Sequence, residues 1–313
     1  MTDVTATHAR PIEYSFEFFP PKSEEATAGW WRAVEALSAY DPAFVSVTYG
    51  AGASSQAPTF DAVKRLIDET DLVTASHLTV VNATSGEVDA VIRRFRDAGV
   101  KRFVALRGDA PDGVGAAYRP HPGGYENAAA LVVGLKAIDD FDISVSAYPE
   151  KHPESADRAA DIAMLKAKAE NGADRALTQF FFDNDVFEDY LNDVLRAGVT
   201  IPVLPGIMPV QNLNQLRRFA AMCGASIPDF LERRLGGLAD DPAAHFEVAA
   251  DIAAEQVLDL QKRGISEFHF YTMNRSRLQI AVFERLGLKP AARARGNVAR
   301  EAGFAEERLG RTG

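Results

Sequence analysis

A single cysteine in 313 residues, Cys223, excludes a disulfide framework and a thiolate metal site. In its helical context it reads as a small buried hydrophobe. Long apolar runs are missing too, since none approaches the roughly 18 residues that span a bilayer. Met1–Arg10 is polar and lacks the apolar segment of a secretory signal, so a cytoplasmic protein with no membrane partner is expected. Positive charge is the minority sign: 34 Lys and Arg stand against 44 Asp and Glu, a formal net charge of -10. With no basic cluster interleaved with aromatics, this balance argues against a nucleic-acid partner. No Gly-x-Gly-x-x-Gly follows the first strand pattern, and no P-loop lysine or nucleophile elbow is present. No His, Asp and Glu set has metal-ligand spacing. No linker rich in Pro, Gly or Ser divides the chain.

What the chain does have is alternation. Strands are expected over Ile12–Phe18, Phe44–Thr48, Thr74–Val80, Arg102–Leu106, Asp142–Ala147, Ala176–Phe181, Ile201–Leu204 and Glu267–Tyr271. Amphipathic helices are expected between them, over Glu24–Ser38, Phe60–Glu69, Gly86–Ala98, Asn127–Ile138, Ala156–Asn171, Val186–Ala197, Asn212–Cys223 and Pro242–Arg263. Gly99, Gly172, Gly198 and Gly264 sit just past helical patterns, where a left-handed residue is wanted. Pro228 and Pro242 read as first-turn prolines. Eight strand–helix units imply a parallel sheet closed into a (β/α)8 TIM barrel of the α/β class. Extra helices precede the eighth strand. The expected domain runs over 12–290, with a flexible N-terminus over 1–11 and a tail over 291–313.

In such a barrel the chemistry gathers where the strands end. Successive ends lie about 30 to 40 residues apart, the length of a βα unit, and polar residues recur there. The first strand carries Glu17 in Ser15-Phe16-Glu17-Phe18-Phe19-Pro20-Pro21, and the two prolines forbid its continuation. A carboxyl set among three Phe is poorly hydrated, which favours its proton-donating form and suits a general acid. It also reads as an edge-strand Glu facing water. Thr48 ends the second strand, before Tyr49-Gly50-Ala51-Gly52, and His77 lies in the third. His77 fits a hydrogen-bonded core histidine as well as a ligand contact. Leu106-Arg107-Gly108-Asp109 ends the fourth, either as part of a site or as a turn with Asp109 capping the next helix. Tyr148 and His152 bracket a stiff Pro-rich turn after the fifth. Gln179 is an amide in an apolar strand and needs partners, whereas Phe180, Phe181 and Phe182 fit core packing. Asp161, Met164 or Leu165, and Lys168 share one helix face. That face is either a solvated stripe or the wall of an elongated ligand with ribose, adenine and phosphate parts.

Over about residues 12 to 288 the chain resembles the catalytic domain of the methylenetetrahydrofolate reductase family, in its short bacterial form. The resemblance rests on Ser15–Pro21, Ser46–Ala51, Leu106–Asp109, Ala147–Pro153, Thr178–Asp183, Pro205–Pro209 and Phe270–Arg275. It implies a (β/α)8 barrel that holds FAD without a dinucleotide fingerprint. It further implies NADH or NADPH as hydride donor, methylenetetrahydrofolate as substrate, ping-pong kinetics and a homo-oligomer. By matched position, Glu17 resembles the acid that protonates N10 of the folate. Asp109 resembles the carboxylate beside flavin and pterin. Gln179, Gln215, Phe219 and Arg275 fall at substrate contacts, with Glu17 and Asp109. Thr48, His77, Leu106, Arg107, Gly108, Asp109, Tyr148, His152, Asp161, Met164 and Lys168 fall in the FAD shell, Met164 where a polar residue is often found. The length leaves no room for the regulatory domain of longer relatives, so no control by S-adenosylmethionine is expected. Two other readings stay open at this point: another barrel oxidoreductase, with a different flavin chemistry or none, and a folate- or nucleotide-binding protein without turnover.

Overall fold

The computed structural model describes residues 10–49, 56–109 and 118–291. The strands are β1 (Glu13–Phe18), β2 (Phe44–Val47), β3 (Thr74–Thr79), β4 (Arg102–Leu106), β5 (Asp142–Ala147), β6 (Arg175–Thr178), β7 (Val203–Leu204), β8 (Gly206–Ile207) and β9 (Glu267–Tyr271). The helices are α1 (Glu24–Ser38), α2 (Gln56–Glu69), α3 (Ser85–Asp97), α4 (Ala128–Ile138), α5 (Arg158–Glu170), α6 (Asn184–Arg196), α7 (Leu213–Cys223), α8 (Asp229–Leu235), α9 (Pro242–Lys262) and α10 (Ser276–Arg285). All ladders are parallel, in the order β7-β6-β5-β4-β3-β2-β1-β9-β8. The two outermost strands are joined through Pro205, so the sheet closes on itself as the expected barrel. The extra helix before the last strand is α8.

The barrel closes differently from the sequence expectation. The seventh strand, expected over Ile201–Leu204, is two short strands on either side of Pro205, one pairing with β6 and the other with β9. Pro205 has no N–H to donate and interrupts the ladder, although its carbonyl still accepts from His269 N at 3.0 Å. Gly206 N turns instead to Thr178 Oγ1 at 2.8 Å. A Cβ on Gly206 would lie 2.3 Å from Thr178 O and 2.7 Å from Tyr271 Cε2, so only glycine lets the seam shut. β6 ends at Thr178, three residues short of the expected Phe181. Helix α10 was not expected: its N-cap residue, Arg275, makes no capping side-chain bond and so carries no start signal. The four glycines expected past helix ends do have positive φ. Of the tail expected over 291–313, only Ala291 is described, and residues 1–9, 50–55 and 110–117 also lie outside the described residues.

Two layers of apolar packing follow from the period of two along each strand. Phe16 and Phe18 of β1 point outward, fully buried in the main core with Trp30, Leu37 and Phe283 from the surrounding helices. Each such burial is worth about 2 kcal/mol. Inside the barrel, Phe44, Ala75, Val104, Leu177 and Leu204 make a separate small cluster. Below it, at the N-terminal strand ends, Arg102 Nη2 meets Asp142 Oδ2 at 3.1 Å and Arg175 pairs with both oxygens of the same carboxylate. The two guanidinium carbons lie 4.8 and 5.7 Å from the centre of the Phe44 ring.

Candidate active site

Glu17 leaves β1 toward the barrel interior, in register with Ser46 of β2 and Tyr271 of β9. Pro20 and Pro21 stop the strand, and the turn after β9 takes over its free backbone groups. Thr272 Oγ1 donates to Glu17 O at 2.6 Å. The Asn274 side chain accepts from Phe19 N at 2.8 Å and donates to Phe19 O at 2.9 Å. Met273 and Asn274 adopt positive φ to make this turn. The backbone on which Glu17 stands is thus held by a clamp formed from residues more than 250 positions away.

Its surroundings differ from those expected. Glu17 is 8% exposed, but its sequence neighbours Phe16 and Phe18 point to the opposite face and Phe19 is 40% exposed. Two imidazoles surround the carboxyl instead. His77 Nε2 lies 3.4 Å from Oε2, and His269 Nε2 lies 3.6 Å from the same oxygen. His77 Nε2 also meets Ser46 Oγ at 3.1 Å, and His269 Nδ1 meets Ser15 Oγ at 2.7 Å. Burial pushes His77 down to about 4, against the pull of Glu17 and with help from His269, so it is neutral at pH 7. Burial, together with Glu17, Tyr148 and Cys223, raises Tyr271 well above an ordinary phenol. Tyr271 is therefore a neutral donor, bonded to Thr178 O at 2.7 Å.

Beside this cluster a cavity of about 390 Å³ opens at the C-terminal ends of β4 and β5. Leu106, Arg107, Gly108 and Asp109 line it from β4, Tyr148 and His152 from the turn after β5, and Asp161, Met164 and Lys168 from α5. The helix face read from the sequence is therefore a wall, with Leu165 turned into the core. Thr48 and His77 lie apart: His77 is buried against Glu17, and Thr48 O accepts from Thr59 Oγ1 at 3.0 Å. Tyr49, Thr79, Asn127, Ser146 and Ser155 also line the cavity and were not expected. The inward-facing period of β3 and β5 would have found Thr79 and Ser146.

The wall is strongly polarised. Lys168 Nζ is buried and donates to Ser146 O at 2.9 Å and Ser146 Oγ at 3.1 Å. Burial holds it down at about 8, with Asp161 opposing and Arg107 reinforcing. Asp161 spends its oxygens on His152 N at 2.9 Å and on the Ser155 hydroxyl. Arg107 pairs with Glu154 at 2.8 Å and lies 4.3 Å from the centre of the Tyr118 ring. The Tyr148 and His152 rings meet edge-to-face at 4.7 Å, and burial and Arg107 lower the His152 pKa. Gly108 has φ 88°, and a Cβ there would stand 2.9 Å from Val81 Cγ1. Two cations, a carboxylate and aromatic edges on one concave surface suit an extended ligand that is anionic in one part and aromatic in another.

The remaining expected residues sit on the rim. Gln215 and Phe219 line a shallow depression between α7 and the end of β9, with Met273. Gln179 lines another with Tyr148 and Cys223, its Oε1 accepting from Phe180 N at 3.0 Å. Arg275 is exposed at the start of α10. Among the described residues, no group of three or more His, Cys, Asp or Glu is arranged to hold a metal, and no helix is long and apolar enough to cross a membrane.

A sequence profile described as Methylenetetrahydrofolate reductase matches residues 4–287, which include every strand of this rim. The chain belongs to the methylenetetrahydrofolate reductase family. It is 41% identical over 279 residues to the 5,10-methylenetetrahydrofolate reductase of Escherichia coli (strain K12), covering 89% of this chain and 92% of that protein. Against Methylenetetrahydrofolate reductase (NADH) 1 of Arabidopsis thaliana the identity is 34%, over 91% of this chain and 50% of that protein. Among solved structures, a Clostridium thermocellum protein described as binding two copies of 5-methyl-5,6,7,8-tetrahydrofolic acid aligns with a TM-score of 0.60. That alignment covers 88% of this chain and 94% of the other at 17% identity, a likeness of fold alone.

Proposed function

We propose that this member of the methylenetetrahydrofolate reductase family reduces 5,10-methylenetetrahydrofolate to 5-methyltetrahydrofolate with hydride from NADH or NADPH and with FAD bound in the α5 cavity. The residues present fit that cofactor. The buried Lys168 ammonium meets no carboxylate within ion-pair distance among the described residues, and it faces the cavity with Arg107. Gly108 lines the cavity with its backbone bare, because a Cβ there would stand 2.9 Å from Val81 Cγ1 and 3.0 Å from Thr79 Cβ. Leu106, Arg107, Gly108, Tyr148, His152, Asp161, Met164 and Lys168 would hold FAD, with the cations serving its phosphates. When bound, FAD supplies the two-electron relay between nicotinamide and folate.

The observation that carries this reading is the buried Glu17 carboxyl at the same strand ends as the cavity, with Tyr271 and Tyr148 between them. Glu17 donates its proton to N10 of the folate. The bond from N10 to the bridging carbon breaks, leaving an N5 iminium, and hydride addition at that carbon gives the methyl group. Asp109, exposed on the rim, presents a carboxylate to the amino edge of the pterin. Gln179, Gln215 and Phe219 border the ground where folate and nicotinamide lie in turn, and Arg275 stands at its edge. The test is optical. Purified protein should absorb as a flavoprotein, bleach anaerobically with NADH or NADPH, and regain colour with methylenetetrahydrofolate. Colourless protein, or flavin that never bleaches, would sink the proposal.

A further inference from the structure

His269 stands beside Glu17, and the proposed reaction leaves it unused. It is 0% exposed, and its Nε2 has no hydrogen-bond partner among the described residues although it lies 3.6 Å from Glu17 Oε2. A buried donor left unbonded is costly, by about 1–3 kcal/mol, so its persistence at this spot asks for a partner at some stage of turnover. The ring is fixed on three sides. Phe44 stacks on it at 5.9 Å and 18°, Tyr271 meets it edge-on at 5.6 Å, and Ser15 Oγ is 2.7 Å from Nδ1. Ser15 Oγ stands 2.7 Å from Nδ1 and, as a donor, 3.4 Å from Phe268 O; the shorter contact is the one that a proton on Oγ and a bare Nδ1 would make. That tautomer puts the hydrogen on Nε2, facing Glu17.

We infer that His269, oriented by Ser15, is a positioning residue for the Glu17 acid: its Nε2–H closes on Oε2 as the carboxyl gives up its proton. The 3.6 Å separation is too long for a formed hydrogen bond and short enough to become one when Oε2 gains charge. His77 approaches the same oxygen at 3.4 Å. Oε1 is bonded by no described residue, so it is the oxygen left to carry the transferable proton. The other polar groups facing the carboxyl are the hydroxyls of Ser46 and Tyr271. This inference rests on the role proposed for Glu17, and it assigns that acid its support.

Two measurements decide it. In protein labelled with ¹⁵N-histidine and free of cofactor, His269 should be the Nε2–H tautomer, and Glu17→Gln should move its Nε2 signal while leaving Nδ1 in place. A Nδ1–H tautomer, or a spectrum indifferent to Glu17, overturns the inference whether or not the protein reduces folate. In the second, His269→Leu should slow reoxidation of reduced enzyme by methylenetetrahydrofolate by about 10- to 100-fold, the range for a hydrogen bond to a charged group, with bleaching by NADH and folate affinity within about twofold of the original. His269→Gln, whose amide nitrogen can stand near the position of Nε2, should restore most of that rate. Ser15→Ala, which keeps the core volume should His269→Leu fail to fold, should slow the same half-reaction alone. Equal loss in both half-reactions, or no loss, overturns the assignment. An unmodified protein that never reduces folate would instead defeat the proposed function and leave the spectral result to stand by itself.

Discussion

The two ends of the barrel handle charge in opposite ways. At the N-terminal end, Arg102, Asp142 and Arg175 spend their charges on one another and on the Phe44 ring. Burial pushes Asp142 up, but the hydrogen bond and charge of Arg175, with Arg102, outweigh it and hold the carboxyl below the usual range. At the C-terminal end the groups keep capacity in reserve. Among the described residues, Lys168 bonds only neutral oxygens and His269 Nε2 bonds nothing. A charge that is fully paired has little left to offer a ligand, whereas one with spare capacity can receive a ligand or a proton. Phe44 connects the two ends, with guanidinium groups against its ring below and the His269 imidazole stacked on it above.

The contrast breaks most sharply at Glu17. Glu17→Gln should retain FAD and its bleaching by NADH but slow folate reduction by about 10²- to 10⁴-fold, the usual share of a general acid. Full turnover with methylenetetrahydrofolate would remove Glu17 from that role. Its melting temperature should stay close to the original, because the group serves chemistry rather than stability.

Asp142→Asn should do the reverse. It leaves two guanidinium groups without their anion and should cost about 2–3 kcal/mol, less than for a fully buried pair because the Asp142 side chain keeps 29% exposure. Denaturant unfolding measures this, and FAD affinity per folded molecule should be unchanged. The sign with pH follows from the depressed carboxyl. Its contribution is full above the unfolded value of about 3.9 and is lost as pH falls through the lower folded value. The variant should therefore lack that part of the acid transition.

A milder effect is expected at Lys168. With its ammonium held at about 8, cofactor affinity should weaken as pH rises through that value, and Lys168→Met should bind about tenfold more weakly at pH 7, as for one charge-assisted bond. Folding stability should move the other way. A lysine depressed in the fold costs stability until the unfolded chain also loses its proton, so stability rises between pH 8 and about 10.4. Affinity independent of pH up to 10 would return Lys168 to a structural role. Smallest of all, His77 should titrate by NMR near 4 rather than 6.5, with no change in fold above that pH.

Much of this was legible in one dimension. Parallel strands buried on both faces are short apolar runs, and helices at the rim carry a 3.6 period, so the order of units could be read directly. The α5 wall was legible because Asp161, Met164 and Lys168 keep helical spacing. The division of the seventh strand at Pro205 was not, because its hydrogen bonds pass to Thr178 and His269, far away in the chain. Helix α10 lacked a capping side chain to announce it. His269 was hidden in an apolar strand, Glu267–Tyr271, where local pattern cannot separate a packing histidine from a working one.

By itself, the order of residues determined which side chains face inward along each strand, because the pleat alternates without regard to anything outside it. It also determined where β1 must stop, because two prolines offer no donors. Only the closed barrel decided that Glu17 meets His77 and His269 instead of phenylalanine. Those neighbours come from separate strands, and their distance to the carboxyl is set by the curvature and register of a sheet that shuts at Gly206, which no local pattern encodes.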